Sequence, residues 1–334
     1  MSFHQSSKLR LLRLMCTAAF VSANVSIVSP VVAAQTLRLA HASVPGSLID
    51  QAIQRFAAEV KDSTHGSLII KDFPSEQLGD EVAIADGVGN GSIDIGLGGA
   101  VDAIDPRLNA LSLPFLFSNA TQVHHYLDSA AGKTFLSIGA PRGYQMLGAL
   151  DSGFRQFANT KRPIYKPADM VGLKIRTPAN PVILATIKQL GALAQSLPLG
   201  TVYTSLQSGV VDGAEPELRD YSDEKWYEVA KYVSMSNYVW TANYWYMNKD
   251  KYDALPAADR AALDKAVIDT TAWYRAQLEQ SYQKLDATLK AKGVKFNDVD
   301  TAAFHKAVLP IYAQFSKTWG SALISTLQHD ANGK

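Results

Sequence analysis

Gly172-Leu173-Lys174-Ile175-Arg176-Thr177-Pro178 is a short cationic strand, and Val202-Tyr203-Thr204-Ser205-Leu206-Gln207-Ser208-Gly209-Val210-Val211-Asp212-Gly213-Ala214-Glu215 follows it closely in the chain. In the first stretch Leu173 and Ile175 alternate with Lys174 and Arg176. That period of two buries the aliphatic pair and turns both cations to the opposite face. Pro178 ends the strand, because it brings no N–H to a ladder. Arg176 therefore sits at a strand end, where its planar, permanently charged fork can meet a carboxylate with two parallel hydrogen bonds. A solvated surface arginine satisfies the same spacing.

Outward from this stretch, strand and helix signals alternate, the pattern of an α/β fold. Residues 36–41, 67–73 and 93–97 read as strands, and 48–60 and 80–88 as helices. Gly96-Leu97-Gly98-Gly99-Ala100 closes the third strand; three glycines there make a tight turn or let a ligand approach the backbone. Residues 144–151 and 154–159 read as strands separated by Ser152-Gly153, where the chain is expected to cross between two lobes. A second crossing is expected near Trp240 to Asn243, before an apolar strand at 243–248. The chain thus enters a second lobe and returns, leaving a cleft suited to a small molecule.

Pro256 starts and Gly293 closes a helix over 257–291, about 52 Å long at 1.5 Å per residue. It exceeds one lobe. Leu263, Val267, Trp273, Leu278, Tyr282, Leu285 and Leu289 give it one apolar face, expected to lie across both lobes as a strut. Residues 304–327 supply further helix, which Pro310 is expected to kink or divide.

Residues 1–34 read as a secretory signal peptide. Lys8, Arg10 and Arg13 precede an apolar stretch, and Val32-Ala33-Ala34 offers small residues at the cleavage site. Thr17, Asn24 and Pro30 make the run too polar and broken for a membrane span. The single cysteine, Cys16, lies in this segment, so no disulfide or thiolate site is expected in the exported chain. That segment contains three basic and no acidic residues, which leaves 29 Lys and Arg against 31 Asp and Glu. Such a balance gives no electrostatic reason to invoke nucleic acid or an anionic membrane surface.

Catalytic signatures are weak. No H-x-x-x-H or C-x-x-C spacing occurs, His124 and His125 are adjacent, and there is no G-x-S-x-G elbow, P-loop or dinucleotide fingerprint. Neither a metal nor another cofactor is expected. Asp80, Glu81, Asp212, Glu215 and Glu217 could supply acid and base, but chain order does not show that any two converge.

Eight pieces in order resemble the extracytoplasmic solute receptors of tripartite ATP-independent periplasmic (TRAP) transporters, C4-dicarboxylate-binding branch. They are residues 73–79, 91–94, 113–117, 153–155, 172–178, 202–215, 227–232 and 248–256. The resemblance implies a two-lobed α/β periplasmic binding protein fold of type II-like plan, with a long helix spanning both lobes. Lobe I is expected over 35–152 plus 242–281, and lobe II over 153–241 plus 282–334. It implies no enzyme but a periplasmic receptor, a monomer that closes on a small organic acid anion and delivers it to a membrane permease. A receptor for an ATP-driven importer is the alternative, and a periplasmic hydrolase or lyase using Asp212 or Glu215 is a remoter one.

The family arginine of the G-L-K-I-R motif maps onto Arg176, and Arg155 matches a second arginine often turned into the same cleft. Arg155 is placed equally well by pairing with Glu215 or another acid. Asn180, Glu215 and Asn243 are candidate polar contacts; His41 and Ala42 stand at the end of the first strand. Gly99 and Pro216 replace an acid and an asparagine of the sialic acid receptors, which argues against that ligand. Leu199 and Trp240, with Tyr238 and Tyr244, add apolar surface suited to an aromatic or branched acid, although aromatics at period two also fit a core.

Overall fold

The computed structural model describes residues 34–331; the signal-peptide reading and Cys16 lie outside them. The chain begins β1 (Gln35–His41), α1 (Leu48–Ser63), β2 (Leu68–Phe73), α2 (Glu81–Gly89) and β3 (Ile95–Gly98). Helices α3 (Ala120–Asp128) and α4 (Ala130–Leu136) lead to β4 (Tyr144–Phe154) and β5 (Phe157–Asn159). Then come β6 (Lys174–Thr177), α5 (Pro181–Gln189), β7 (Leu193–Ser196), α6 (Val202–Gln207), β8 (Gly213–Ala214), α7 (Leu218–Asp223) and β9 (Tyr232–Met235). The chain ends with β10 (Trp240–Asn248), α8 (Lys249–Ala254), α9 (Ala257–Ala291), β11 (Lys295–Asp298), α10 (Thr301–Trp319) and α11 (Ser321–Ala331).

Two sheets result, one per lobe. The first has the order β2-β1-β3-β10-β4, and the second β11-β9-β5-β8-β6-β7. β1 lies parallel to β2 and β3, while β10 runs antiparallel between β3 and β4. In the second sheet β6 is parallel to β7 and β8, and β5 is antiparallel to β8 and β9. The chain leaves the first sheet between Phe154 and Phe157 and returns to it between Met235 and Trp240.

Periodicity explains the packing. Leu37 and Leu39 of β1 are buried, and Ala52, Ile53, Phe56 and Val60 of α1 close over them. Ser47 caps α1 by accepting the Asp50 N–H. Phe56 meets Trp245 of β10 with ring centroids 4.9 Å apart. The first half of α9 sets Leu263 and Val267 into this core, and its second half sets Leu285 and Leu289 against Leu206, Val211, Tyr221 and Trp226 of the other lobe. One helix thus braces both lobes. Its buried aromatic is Tyr274 rather than Trp273, which is only partly covered.

Two expectations need correction. β4 runs unbroken through Ser152-Gly153, because Thr241 pairs with Gly153 and Ala242 with Asp151, so Ser152 is absorbed as a bulge; the crossing lies at Arg155-Gln156. Pro310 does not divide α10, which keeps Phe304, Val308, Ile311 and Phe315 on one buried face; the break falls at Gly320, whose φ of +93° suits glycine alone. Arg176 of β6 is 4% exposed, and Lys174 beside it is half-buried.

Candidate functional site

β6 carries Arg176 one residue before its end, and Pro178 turns the chain into the Asn180 cap of α5. There a cavity of about 60 Å³ is lined from both lobes: Ala42, Ser43, Glu81, Leu97, Gly99, Thr241, Ala242 and Asn243 on one side, Arg176, Pro178, Asn180, Leu199 and Asp220 on the other. Arg155, Asn109, Ser112, Ser152 and Tyr244, with the apolar Ile49, Leu108 and Ile183, complete it.

Two arginines reach this cavity in opposite electrostatic situations. Arg155 donates to Glu215 through Nε and, at 3.0 Å, through Nη2, and to Glu217 through Nη1. Tyr238 donates its hydroxyl to Glu215 at 2.7 Å, and Thr241 donates to Glu217. Burial opposes the charge on Arg155, but Glu215 and Glu217 outweigh it and hold the guanidinium above its ordinary pKa. Arg176 instead gives its Nε to the Leu197 carbonyl oxygen at 2.9 Å and stands 5.8 Å from the centre of the Trp226 ring. Among the described residues no carboxylate forms a salt bridge with it. Burial, and then the neighbouring charge of Arg155, push Arg176 down to about 10.

Two acids and a glycine-rich strand end form a polar part of the remaining wall, beside apolar residues such as Leu97 and Leu199. Glu81, in the first turn of α2, accepts the Gly99 N–H at 3.1 Å, and burial raises its pKa against the pull of that amide and of Arg176. Gly98 and Gly99 permit this close approach: a Cβ at Gly98 would lie 2.8 Å from Glu81 Oε1, and one at Gly99 3.3 Å from the Ala242 carbonyl oxygen. Asp220 is pushed well above its ordinary value, by burial first and then by Glu217. Both carboxyls are therefore biased toward the protonated form, which can donate to a ligand hydroxyl.

Of the sequence candidates, Arg176, Arg155, Asn180, Ala42, Gly99, Leu199 and Asn243 meet at this cavity. The Asn180 side chain is occupied there, accepting from Val182 and Ile183 and donating to Ser112. His41, Glu215, Pro216 and Trp240 stand off it. The His41 ring turns toward Asp72 at 3.2 Å, Glu215 is spent on Arg155, and the Pro216 carbonyl accepts from Gln156. Trp240 packs edge-on to Phe117, beside a separate groove of about 640 Å³ that it shares with His124, Arg275 and Tyr282. Tyr238 is buried against Phe157, so of the three aromatics only Tyr244 lines the cavity, its hydroxyl tied to the Leu108 carbonyl. Glu81 and Asp220 were not singled out as contacts; the acid following the Asp80 cap, near a glycine-rich strand end, was the available signal for Glu81.

Residues 39–318 match the bacterial extracellular solute-binding protein family 7. A solute-binding protein of Verminephrobacter eiseniae is 32% identical over 88% of this chain and 88% of its own. A TRAP periplasmic solute-binding protein from Bordetella, with density assigned to pantoate, is 30% identical with a TM-score of 0.84, covering 88% of this chain and 98% of that one. One from Xanthobacter autotrophicus with bound β-D-galacturonate is 29% identical, also at 0.84, covering 88% and 99%. No helix among the described residues is long and apolar enough to cross a membrane. With a two-lobed fold, a cavity between the lobes and this likeness along nearly its whole described length, the chain belongs to the bacterial extracellular solute-binding protein family 7, the periplasmic receptors of TRAP transporters.

Proposed function

We propose that this receptor captures a carboxylate-bearing organic acid, holds the carboxylate on Arg176, and hands the acid to a TRAP membrane permease driven by an ion gradient. One observation carries the reading: Arg176 is buried with no carboxylate partner among the described residues. A cation out of water requires a counter-charge, and an anionic ligand supplies it. Leu197 orients the fork by taking Nε, which leaves the two terminal nitrogens for the ligand.

The ligands of the Bordetella and Xanthobacter receptors are carboxylates, in keeping with this choice. Glu81 and Asp220 would donate to hydroxyls of the acid, and Asn243 is the further polar contact. Residues 35–152 with 242–281, and 153–241 with 282–334, would move as the two lobes of a monomer. We infer that no covalent step is involved: of the two candidate bases, Glu215 has both oxygens engaged by Arg155, and Asp212 accepts the Lys174 N–H and pairs with Lys161.

The test is a thermal-shift and calorimetric screen with succinate, D-erythronate, pantoate, D-galacturonate, D-glucuronate and neutral sugars. Binding to the folded state is worth about 2.7 kcal/mol at a hundredfold excess over Kd. A rise confined to acids and absent in Arg176→Ala is expected. Equal response to neutral sugars, or unchanged affinity in that variant, would overturn the reading.

A further inference from the structure

His41, Asp50 and Asp72 come from the end of β1, the first turn of α1 and the end of β2, and no sequence spacing links them. The fold brings one ring nitrogen and one oxygen of each carboxylate within 4.8 Å of one another. His41 is 1% exposed, yet neither of its ring nitrogens makes a hydrogen bond, and Oδ1 of Asp72 is likewise unpaired. Nε2 of His41 stands 3.2 Å from that oxygen without donating to it. Buried polar atoms left without partners are rare and call for a cause.

The other carboxylate oxygens are anchored. Oδ2 of Asp72 accepts from Gln54 at 2.8 Å, and Oδ2 of Asp50 accepts from the Gly46 N–H at 2.8 Å. These bonds fix the two carboxylates while leaving Oδ1 of each to another partner, as outer hydrogen bonds do for metal ligands. Two ligands about 2.0–2.1 Å from one tetrahedral ion lie ~3.3 Å apart, close to the His41–Asp72 separation.

The geometry points to a binding site for a divalent transition cation of the zinc class, ligated by His41, Asp50 and Asp72 with a fourth position open to water. The imidazole nitrogen selects against calcium and magnesium, which take all-oxygen shells. Asp72 is 14% exposed at its side chain, so an ion can enter from solvent. The site adjoins the ligand cavity without sharing its residues: Ala42 and Ser43, next along the chain, line that cavity. The His41 and Ser43 carbonyls accept the N–H groups of Glu76 and Ser75, two non-glycine residues at φ of +58° and +53°. A cation here would tie together the strands and helix that support this strained turn.

The experiment is calorimetric titration of ZnCl₂ into the EDTA-treated protein, with CaCl₂ as control and Asp72→Asn and His41→Gln as variants. One zinc per chain is expected, with affinity reduced roughly a hundredfold in each variant and no comparable binding of calcium. Asp72→Asn conserves volume and the Gln54 contact, so an unchanged circular dichroism melt without zinc separates ligand loss from misfolding. Absence of zinc binding to the wild-type protein, undiminished binding in both variants, or equal binding of calcium would each overturn the assignment.

Discussion

The carboxylate of Glu76, in the turn after β2 of the first lobe, lies against the backbone amides of Leu199 and Gly200 in the second. A Cβ at Gly200 would come 2.8 Å from Glu76 Oε2. An acid facing amides from across the cleft meets them only when the lobes are together, and burial, the larger effect there, raises its pKa against their pull.

Gly200→Ala should displace this carboxylate without harming either lobe, because the atom it meets is the free end of a flexible side chain. The urea midpoint is expected to stay within error, while acid affinity falls about tenfold, equivalent to ~1.4 kcal/mol. Calorimetry on a variant of unchanged stability reads this directly. Wild-type affinity would show that the contact does not hold the lobes.

Arg155 and Arg176 should behave as opposites in unfolding. Arg155→Ala strands Glu215 and Glu217 as buried, uncompensated carboxylates and should cost about 3–5 kcal/mol. Arg176→Ala removes a desolvated cation that forms no salt bridge with a carboxylate among the described residues, so urea stability should hold or rise while acid binding disappears. Arg176→Lys should also weaken binding, since a point charge does not replace the fork. Equal destabilisation by the two alanine variants would contradict the assignment of separate roles.

Much of this was legible because the signals are local. Leu173, Ile175 and Pro178 set β6, and the run from Pro256 to Gly293 set α9. What escaped depends on contacts between distant residues. Pro310 reads as a breaker, but the buried face from Phe304 to Phe315 carries the helix past it. Trp240 fits a ligand wall by sequence position and packs against Phe117 instead. His41, Asp50 and Asp72 converge through β1–β2 pairing and the docking of α1, which no spacing rule encodes.

Glu224 supplies a pH dependence. Burial, then the like charges of Asp223 and Glu76, raise its carboxyl from 4.5 to about 7, against the attraction of Arg176. A folded-state pKa above the unfolded one means that the folded protein prefers the proton. The associated stability is present below pH 4.5 and is lost as pH rises through about 7. Glu224→Gln removes the titration, so the thermal midpoint of the wild type relative to this variant should decline between pH 5 and 8. A constant difference across that range would rule out Glu224 as the source.

Gly153 stands in β4 just before the crossing, with φ at +123° and the Tyr282 hydroxyl of α9 where a side chain would project. A Cβ there would sit 2.6 Å from that oxygen, which is itself buried without a hydrogen-bond partner. Two separate costs therefore fall on Gly153→Ala: backbone strain of about 1–3 kcal/mol, and a clash that forces Tyr282 away from the junction of the two lobe cores. Tyr282→Phe removes the oxygen and leaves the ring, so it separates them. The double variant Gly153→Ala/Tyr282→Phe should recover the steric part of the urea stability and retain the backbone part. If the double variant is no more stable than Gly153→Ala, the tyrosine does not restrain this crossing and the glycine is required by its backbone alone.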